Sequence, residues 1–552
     1  MSMKPQPCYT VPEETARVAR AIFPKGNLYM RMYDIFGALF EDEDFAALFS
    51  TEGQPALSPI RLVLVLILQF AEGLSDRQAA EAVRTRIDWK YLLCLELTDP
   101  GFHYSVLSEF RTRLIVGSME QMLLDKLLSH FAEHGLLKAR GRQRTDSTHI
   151  LGAVRTLHRL ELVVETMRQA LNTLAVTVPD WMRAHSIPEW VDRYGPQAQE
   201  YRLPREATAR QAYGEVVGAD GLTLLVSIGD PTTPAWLRDV PAVQILRQVW
   251  IQNYTWTETG KLRWRQADEL PPASLRISSP YDPEVHFCIK RSTKWLGYKV
   301  HLTETCDEDA PRLITHVETT LSTAPDTDAI TPTHESLQEK DLLPTDHLVD
   351  TGYMDTGLLV TSQEDYGVNL VCPTRPDTSW QARQEGGLTV KDFEIDWTAQ
   401  QATCPAGKQS QFWMPAIDIH GREVIQVKFA KRDCRACAMQ ARCTRANPPR
   451  RTITILPETQ HKALQAARER EHTDAFKEQY AQRAGVEGTI SQGVRAFDLR
   501  RTRYTGLAKT HLQHVLTAAA IDLVRAARWL AGEVPAQSRR SAFVRLHAVA
   551  AA

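Results

Sequence analysis

Apolar residues recur with two different spacings along this chain of 552 residues, and the spacings predict its elements. Residues 1–138 and 155–285 have the spacing of helices joined by loops. A short strand-like run surrounds Asp146, and strand patterns resume over residues 286–376. The later strands come first in hairpin order and then alternate with helices. We therefore expect an α/β fold whose core is a mixed sheet covered by helices.

Two helix starts are marked in the N-terminal region. Ser58 followed by Pro59 is typical of an N-cap and a first helical residue, and Ser75 with Gln78 forms a capping box. Short helices with tight turns and scattered arginines suit a helix-turn-helix-like DNA-binding domain. A plain helical bundle fits these residues almost as well.

The C-terminal third predicts a separate module followed by helices. Residues 377–456 carry four cysteines and alternate like strands around 424–429. Helical spacing then covers about 460–494 and again 510–530. The tail over 532–552 is rich in Ala, Ser and Arg, and we expect it to be frayed.

Composition describes an ordinary globular protein, with 43% hydrophobic and 24% charged residues. Its longest strongly apolar run, Leu62–Leu68, is far too short to span a bilayer, and no secretory signal opens the chain. We therefore expect a cytoplasmic protein without a membrane partner. Net charge is −2, but residues 431–510 hold 17 Lys and Arg against 8 Asp and Glu. Such a basic block predicts contact with a polyanion, and a solvated helix face is the alternative.

Three carboxylates occur where a metal-dependent nucleic-acid enzyme needs them. Asp146 lies in a strand-like run, Asp350 follows the apolar residues of another strand, and Glu487 is expected on a long helix. At 100° per residue, Tyr480 and Arg483 share one face of that helix with Glu487. Two Asp on strand ends and one Glu on a helix can hold two hard cations through oxygen.

Each carboxylate also has a purely structural interpretation. Asp146 and Asp350 could cap turns, and Glu487 could form an internal ion pair with Arg483. Other acids compete for a metal-binding role: Asp326, Asp328, Asp346 and Asp355. Position on or just past a rigid strand favours Asp146 and Asp350, because metal ligands must be held in place.

The four clustered cysteines predict a structural zinc site. Cys434 and Cys437 have the spacing of a zinc knuckle, and Cys404 and Cys443 complete a set of four thiolates. In a cytoplasmic protein such a set indicates tetrahedral Zn²⁺ more than disulfides. Reduced structural thiols and a redox pair are the alternatives.

Taken together, these motifs resemble those of bacterial insertion-sequence transposases of the DDE class, which have a ribonuclease H-like catalytic core. The resemblance covers most of the chain and is carried by the Leu-Ser-Pro segment at 57–59 and by five further segments: Thr145–Thr148, Trp295–Leu302, Val349–Tyr353, Tyr480 to Glu487, and Arg503–Lys509. One position departs from the family, since Val494 stands where related enzymes often carry Lys, with Arg495 beside it.

The resemblance implies roles for the acidic residues. Asp146, Asp350 and Glu487 would be the catalytic triad and hold Mg²⁺ or Mn²⁺, while Tyr480 and Arg483 would contact phosphates of the DNA. The implied partners are double-stranded DNA, as element ends and as target, and a second copy of the chain on that DNA. Association with the nucleoid follows.

The same resemblance implies a domain organisation. The expected parts are a DNA-binding domain at 1–138, a ribonuclease H-like core at 139–154 and 286–376, a helical insertion at 155–285, a Cys-rich β insertion at 377–456, C-terminal helices with the catalytic Glu at 457–531, and a tail at 532–552.

The implied activity is cleavage of the terminal inverted repeats of an element and their joining to target DNA by two-metal phosphoryl transfer. The alternative is a catalytically inactive or repurposed DNA-binding protein derived from a transposase. A third interpretation, a general metal-dependent nuclease, predicts cleavage without specificity for the ends.

Overall fold

The computed structural model describes residues 2–3 and 9–533, so most of the predicted tail lies outside the described residues. The chain divides into two compact units. The first unit contains the described residues up to Lys138, Ser147–Ala324 and those from Glu487 onward. The second unit contains Ala139–Asp146 and Pro325–Val486. This division is not the predicted division into domains, whose boundaries stay predictions.

The N-terminal region is helical, as predicted. Ser58 caps its most buried helix by accepting from the Arg61 amide, and Ser75 and Gln78 form the expected capping box. Its helices are α1 Glu13–Ile22, α2 Leu28–Phe36, α3 Pro59–Glu72, α4 Asp76–Thr85, α5 Ile87–Leu92, α6 Ser105–Val116 and α7 Met122–Glu133.

Strand β1 (Arg142–Leu151) begins in the second unit and ends in the first. A helical region with one small hairpin follows it, and the apolar faces of these elements form a core of their own. Trp190 and Trp250 are buried there, whereas Trp236 and Trp256 are about half exposed. The elements are α8 Arg159–Thr177, α9 Pro179–His185, α10 Pro188–Tyr194, α11 Ala207–Gly229, α12 Pro241–Asn253, β2 Tyr254–Trp256 and β3 Leu262–Trp264.

Three antiparallel strands of the first unit come next: β4 His286–Lys290, β5 Thr293–Thr305 and β6 Ile314–Leu321. Strand β5 is almost wholly buried and pairs with both β4 and β6. The end of β1 joins this set, since the Gly152 amide donates to the Leu296 carbonyl at 2.9 Å.

The second unit contributes parallel strands. Residues Arg142–Arg144 of β1 pair with β7 (Asp346–Leu348), and β7 pairs with β8 (Asn369–Val371). Helices α13 (Ile330–Glu339) and α14 (Thr356–Tyr366) lie before and after β7 along the chain. A β-strand, a helix and a parallel neighbouring strand form the crossover unit that parallel sheets require.

The cysteine-bearing module has the predicted strand content, and its own core contains Phe393, Val427 and Phe429. Its elements are α15 Trp380–Arg383, β9 Glu394–Asp396, β10 Gln401–Thr403, β11 Phe412–Ile417, β12 Glu423–Lys428, α16 Lys431–Arg435, α17 Gln440–Cys443 and β13 Thr452–Ile455.

The C-terminal helices are α18 Glu458–Glu471, α19 Asp474–Ala481, α20 Gly485–Ala496 and α21 Leu507–Leu530. Helix α21 is buried along most of its length and packs against α3, α7 and β6 within the first unit. The predicted fold class is confirmed: the protein is α/β, with a mixed sheet core and a helical N-terminal region, as in a ribonuclease H-like transposase fold.

Candidate active site

Asp146 lies on β1, at the end of the segment that belongs to the second unit. Its Oδ2 accepts a hydrogen bond from Nη2 of Arg483 at 2.8 Å. Both side chains are largely shielded, with 14% and 13% of their surface exposed. A charge-assisted hydrogen bond in such a partly dry place holds both groups in one geometry.

Asp350 lies two residues past the end of β7 and caps a 3₁₀ turn, Thr351–Tyr353. Its Oδ1 accepts from the Gly352 amide at 2.7 Å. A Cβ at Gly352 would lie 2.8 Å from that oxygen and 3.2 Å from Oδ2 of Asp326. A Cβ here would crowd both carboxylates, and Asp326, one of the competing acids, therefore lies beside the same turn.

Tyr480 and Arg483 are not on one continuous helix with Glu487, so the prediction of a single long helix is wrong. Helix α19 ends at Ala481, a 3₁₀ turn covers Gln482–Ala484, and α20 begins at Gly485. The helical arithmetic that placed Tyr480, Arg483 and Glu487 on one face does not apply across this turn.

Arg144 is the physical reason for the break. This buried arginine, two residues before Asp146 on β1, donates to the carbonyl of Gln482. A Cβ at Gly485 would lie 2.1 Å from its Nη1 atom, so a larger residue there would force the guanidinium to move. Strand β1 therefore holds the 482–484 turn twice, through Arg144 and through Asp146 with Arg483.

Tyr480 lies among the charged groups of this region. Its ring stacks on Phe476, with centroids 5.5 Å apart and ring planes 5° from parallel. Burial raises the pKa of Tyr480, the charge of Arg483 opposes that rise, and the carboxylates of Asp350 and Asp146 add to it. The second unit thus brings together four of the predicted site residues: Asp146, Asp350, Tyr480 and Arg483.

A buried chain of hydrogen bonds supports β1 beside Asp146. The Thr145 hydroxyl and Nε2 of His347 lie 2.6 Å apart, and Nδ1 of His347 lies 2.9 Å from Nε2 of His334. Burial lowers the pKa of His334 to about 4. This histidine pair was not predicted, because no periodicity or spacing marks two histidines that meet only across the fold.

Glu487 lies in the first turn of α20, in the first unit, and is exposed. The buried face of this helix carries Thr489, which donates to Glu304 of β5. Val494, at the position that departs from the family, is half buried, and Arg495 is exposed.

The four predicted zinc ligands line one small cavity of about 30 Å³: Cys404, Cys434, Cys437 and Cys443. The Arg451 amide donates to Sγ of Cys434 at 3.3 Å. Burial raises the pKa of Cys443 to about 11, Arg451 opposes this, and the other three cysteines add to it. Within the described residues, these four cysteines form no disulfide with one another.

A metal site is not visible in the geometry. Within residues 2–3 and 9–533, no group of three or more His, Cys, Asp or Glu side chains is placed to hold a metal ion. The magnesium and zinc assignments therefore stay predictions.

Over residues 2–3 and 9–533, no helix combines the length and apolar character that crossing a membrane needs.

Two family models match parts of the chain. The model described as transposase DDE domain matches residues 403–527, and the model described as transposase domain (DUF772) matches residues 17–113. Neither a curated protein nor a solved structure matches the chain. The DDE match includes Glu487 and the cysteines, whereas Asp146 and Asp350 lie outside both matches. DDE transposases act on DNA and generally use divalent metals such as Mg²⁺. The two matches together indicate an insertion-sequence DDE transposase.

Proposed function

We propose that this protein binds the terminal inverted repeats of its own element, cleaves the ends and joins them to target DNA. The observation that supports this most is the cluster of Asp146, Asp350, Tyr480 and Arg483 on β1, after β7 and at the 482–484 turn. Two carboxylates, one guanidinium and one phenol in one place suit a site for phosphoryl transfer better than a general binding surface.

In this proposal Asp146, Asp350 and Glu487 hold Mg²⁺ or Mn²⁺. Such ions activate water, and later a 3′-hydroxyl, as the nucleophile and stabilise the leaving oxygen. The residues are of the right chemistry, because carboxylate oxygens are the ligands that hard divalent cations prefer. No covalent protein–DNA intermediate is required, so no nucleophilic Ser or Tyr is needed.

Arg483 and Tyr480 orient the DNA. Arg483 is held beside Asp146, so its guanidinium would be near a phosphate that binds at that carboxylate. A planar guanidinium binds phosphate through two parallel hydrogen bonds, which fixes the direction of the phosphate as well as its position. The Tyr480 hydroxyl, kept protonated by its raised pKa, would donate to a neighbouring phosphate oxygen.

The cysteine-bearing module is the proposed track for the DNA backbone. Five of its cations are exposed: Lys431, Arg432, Arg435, Arg442 and Arg445. Of these five cations, Arg432 forms an ion pair with a neighbouring carboxylate, that of Asp433. A surface with many cations and few carboxylates attracts polyanions along its whole length.

Zinc is the proposed scaffold of this module. Four thiols around one cavity and a backbone amide that donates to Cys434 fit the donor set of structural Zn²⁺. Replacing Cys434 or Cys437 with Ser should release about one zinc per chain and destabilise residues 377–456. Metal analysis of the purified wild type tests this, and a protein without zinc would contradict it.

Two other functions predict different results. A repurposed DNA-binding protein would bind the ends without cutting them, and Val494 in place of Lys favours it weakly. A general nuclease would cut unrelated DNA equally well. The sequence of the DNA that flanks the gene also distinguishes a transposase from these two alternatives, because a mobile element carries terminal inverted repeats and a duplicated target.

We further propose that the protein forms a homodimer on DNA, since two ends must be held together. We also propose a nucleoid-associated cytoplasmic location.

The test uses purified protein with two labelled duplexes, one carrying an element end and one with the same bases in scrambled order. We expect cleavage of the end duplex alone, with Mg²⁺ present and not with a chelator. Equal cleavage of both duplexes would favour the nuclease. Tight binding of the end duplex without any cleavage would favour the repurposed protein.

A further inference from the structure

A buried polar cluster holds α20 from the side that Glu487 does not use. Arg525 of α21 donates to Oγ1 of Thr489 at 2.7 Å, to Oε1 of Gln492 at 2.8 Å and to Oε2 of Glu304 at 3.1 Å. Thr489 donates in turn to the same Glu304 oxygen at 2.5 Å. All of these residues belong to the first unit.

The cluster is costly to bury and therefore must be complete. Glu304 is fully buried and Thr489 is 2% exposed, while Arg525 keeps 18% of its side chain exposed. A buried carboxylate is tolerated only where an opposite charge and hydrogen bonds satisfy it, and here Arg525 and Thr489 supply both. Arg525 also donates to the Arg312 carbonyl at 2.7 Å, which fixes its own position.

The placement of these contacts on α20 decides what they can do. Thr489 follows Glu487 by two residues and Gln492 follows it by five, which are rotations of about 200° and about 140° around the helix. Both contacts are therefore on the face opposite Glu487. A helix held at two points of one face resists rotation about its axis, so the direction in which the Glu487 side chain leaves the helix is fixed.

We propose that Arg525, Glu304 and Thr489 are positioning residues that set the direction of the Glu487 carboxylate. This inference rests on the proposed function, in which Glu487 is a metal ligand. Groups that orient the ligands of a metal typically change its affinity by about 10- to 100-fold when they are removed. The cluster should therefore affect the response to Mg²⁺ more than it affects DNA binding.

The test compares Thr489→Val with a matched control, Thr517→Val. Thr517 is a buried threonine of α21 that donates to the carbonyl of Gln513 in its own helix, outside the cluster. We expect Thr489→Val to raise the Mg²⁺ concentration for half-maximal end cleavage by roughly tenfold. Thr489→Ser, which keeps the hydroxyl, should restore most of the response, and Thr517→Val should leave it unchanged.

An unchanged Mg²⁺ response in Thr489→Val, with a melting temperature lowered as in Thr517→Val, would overturn the inference. If the wild type itself cleaves no end DNA, the proposed function has failed, and hydrogen exchange decides the inference separately. The amides of residues 490–496 should then exchange faster in Thr489→Val than in the wild type. Equal exchange would overturn the positioning role on its own.

Discussion

The carboxylates of the proposed triad are held in two contrasting ways. Asp146 and Asp350 are on or just after strands, are partly buried, and each accepts a direct hydrogen bond from Arg483 or from the Gly352 amide. Glu487 is exposed on α20, and its helix is held instead by Thr489 and its neighbours on the opposite face.

The contrast shows two routes to an ordered carboxylate. A strand residue is oriented by groups that touch it, so its geometry depends on those partners remaining in place. A helix residue can remain exposed to solvent while buried contacts on the opposite face, within about one and a half turns, fix the orientation of its helix. The orientation of Asp146 or Asp350 can be lost by removing a group that touches the carboxylate. The orientation of Glu487 can be lost only by removing contacts made by other residues of its helix.

Acidification should produce the largest change, and it affects both regions. Burial lowers the pKa of His334 in the second unit to about 4 and that of His514 in the first unit to about 3. The unfolded chain, with histidine near 6.5, then binds more protons than the folded one, so stability is complete above about pH 6.5 and falls as the pH drops to about 4. We expect each group to cost about 3 kcal/mol of the free energy of unfolding across this range, and urea unfolding at a series of pH values measures that loss.

His334→Gln separates the two regions in this experiment. In this variant the free energy of unfolding should fall less between pH 6.5 and pH 4 than in the wild type. His514→Gln should have the same effect through the first unit. A stability that stays level from pH 7 to pH 4 in the wild type would contradict the assignment of neutral, buried histidines.

Arg144→Met should break the strand-held region and leave the helix-held one intact. The variant loses the charge-assisted hydrogen bond to the Gln482 carbonyl, at a cost of about 2 kcal/mol in the free energy of unfolding. Arg140→Met is the control, because Arg140 is exposed and donates to the Tyr366 carbonyl at 3.2 Å. Equal stabilities of the two variants would show that Arg144 does not hold the 482–484 turn.

Arg483→Ala has the smallest expected effect and asks whether this side chain serves DNA or only Asp146. Each lost phosphate contact lowers the slope of log affinity against log salt by about 0.9, so we expect weaker end binding and a slope reduced by about one unit. Arg183→Ala, at an exposed arginine paired with Asp180, should change neither quantity. An unchanged slope with a lower melting temperature would assign Arg483 a structural role alone.

Local signals predicted much of this fold. Ser58 with Pro59 and Ser75 with Gln78 mark helix starts that the structure contains, and the strand-like run around Asp146 is a strand in the structure. The break at residues 482–484 could not be predicted, because it depends on Arg144, which is distant in sequence.

The candidate site divides in the same manner. Asp146 and Asp350 could be selected because each follows an apolar strand, and the structure places both beside Tyr480. The Glu304–Arg525 pair was missed, since its partners come from β5 and α21. A polar Thr489 on a face shared with buried Val486 and Ile490 was the one available signal.

The central claim is that Asp146, Asp350 and Glu487 carry the chemistry and not the binding of DNA. Its most direct test measures Mg²⁺-dependent cleavage and equilibrium binding of the same end duplex by Asp146→Asn, Asp350→Asn and Glu487→Gln. An amide keeps the shape of the side chain but loses the charge that holds a divalent cation. We expect each variant to lose cleavage while its binding stays close to that of the wild type, and near-normal cleavage by any one of them would remove that residue from the site.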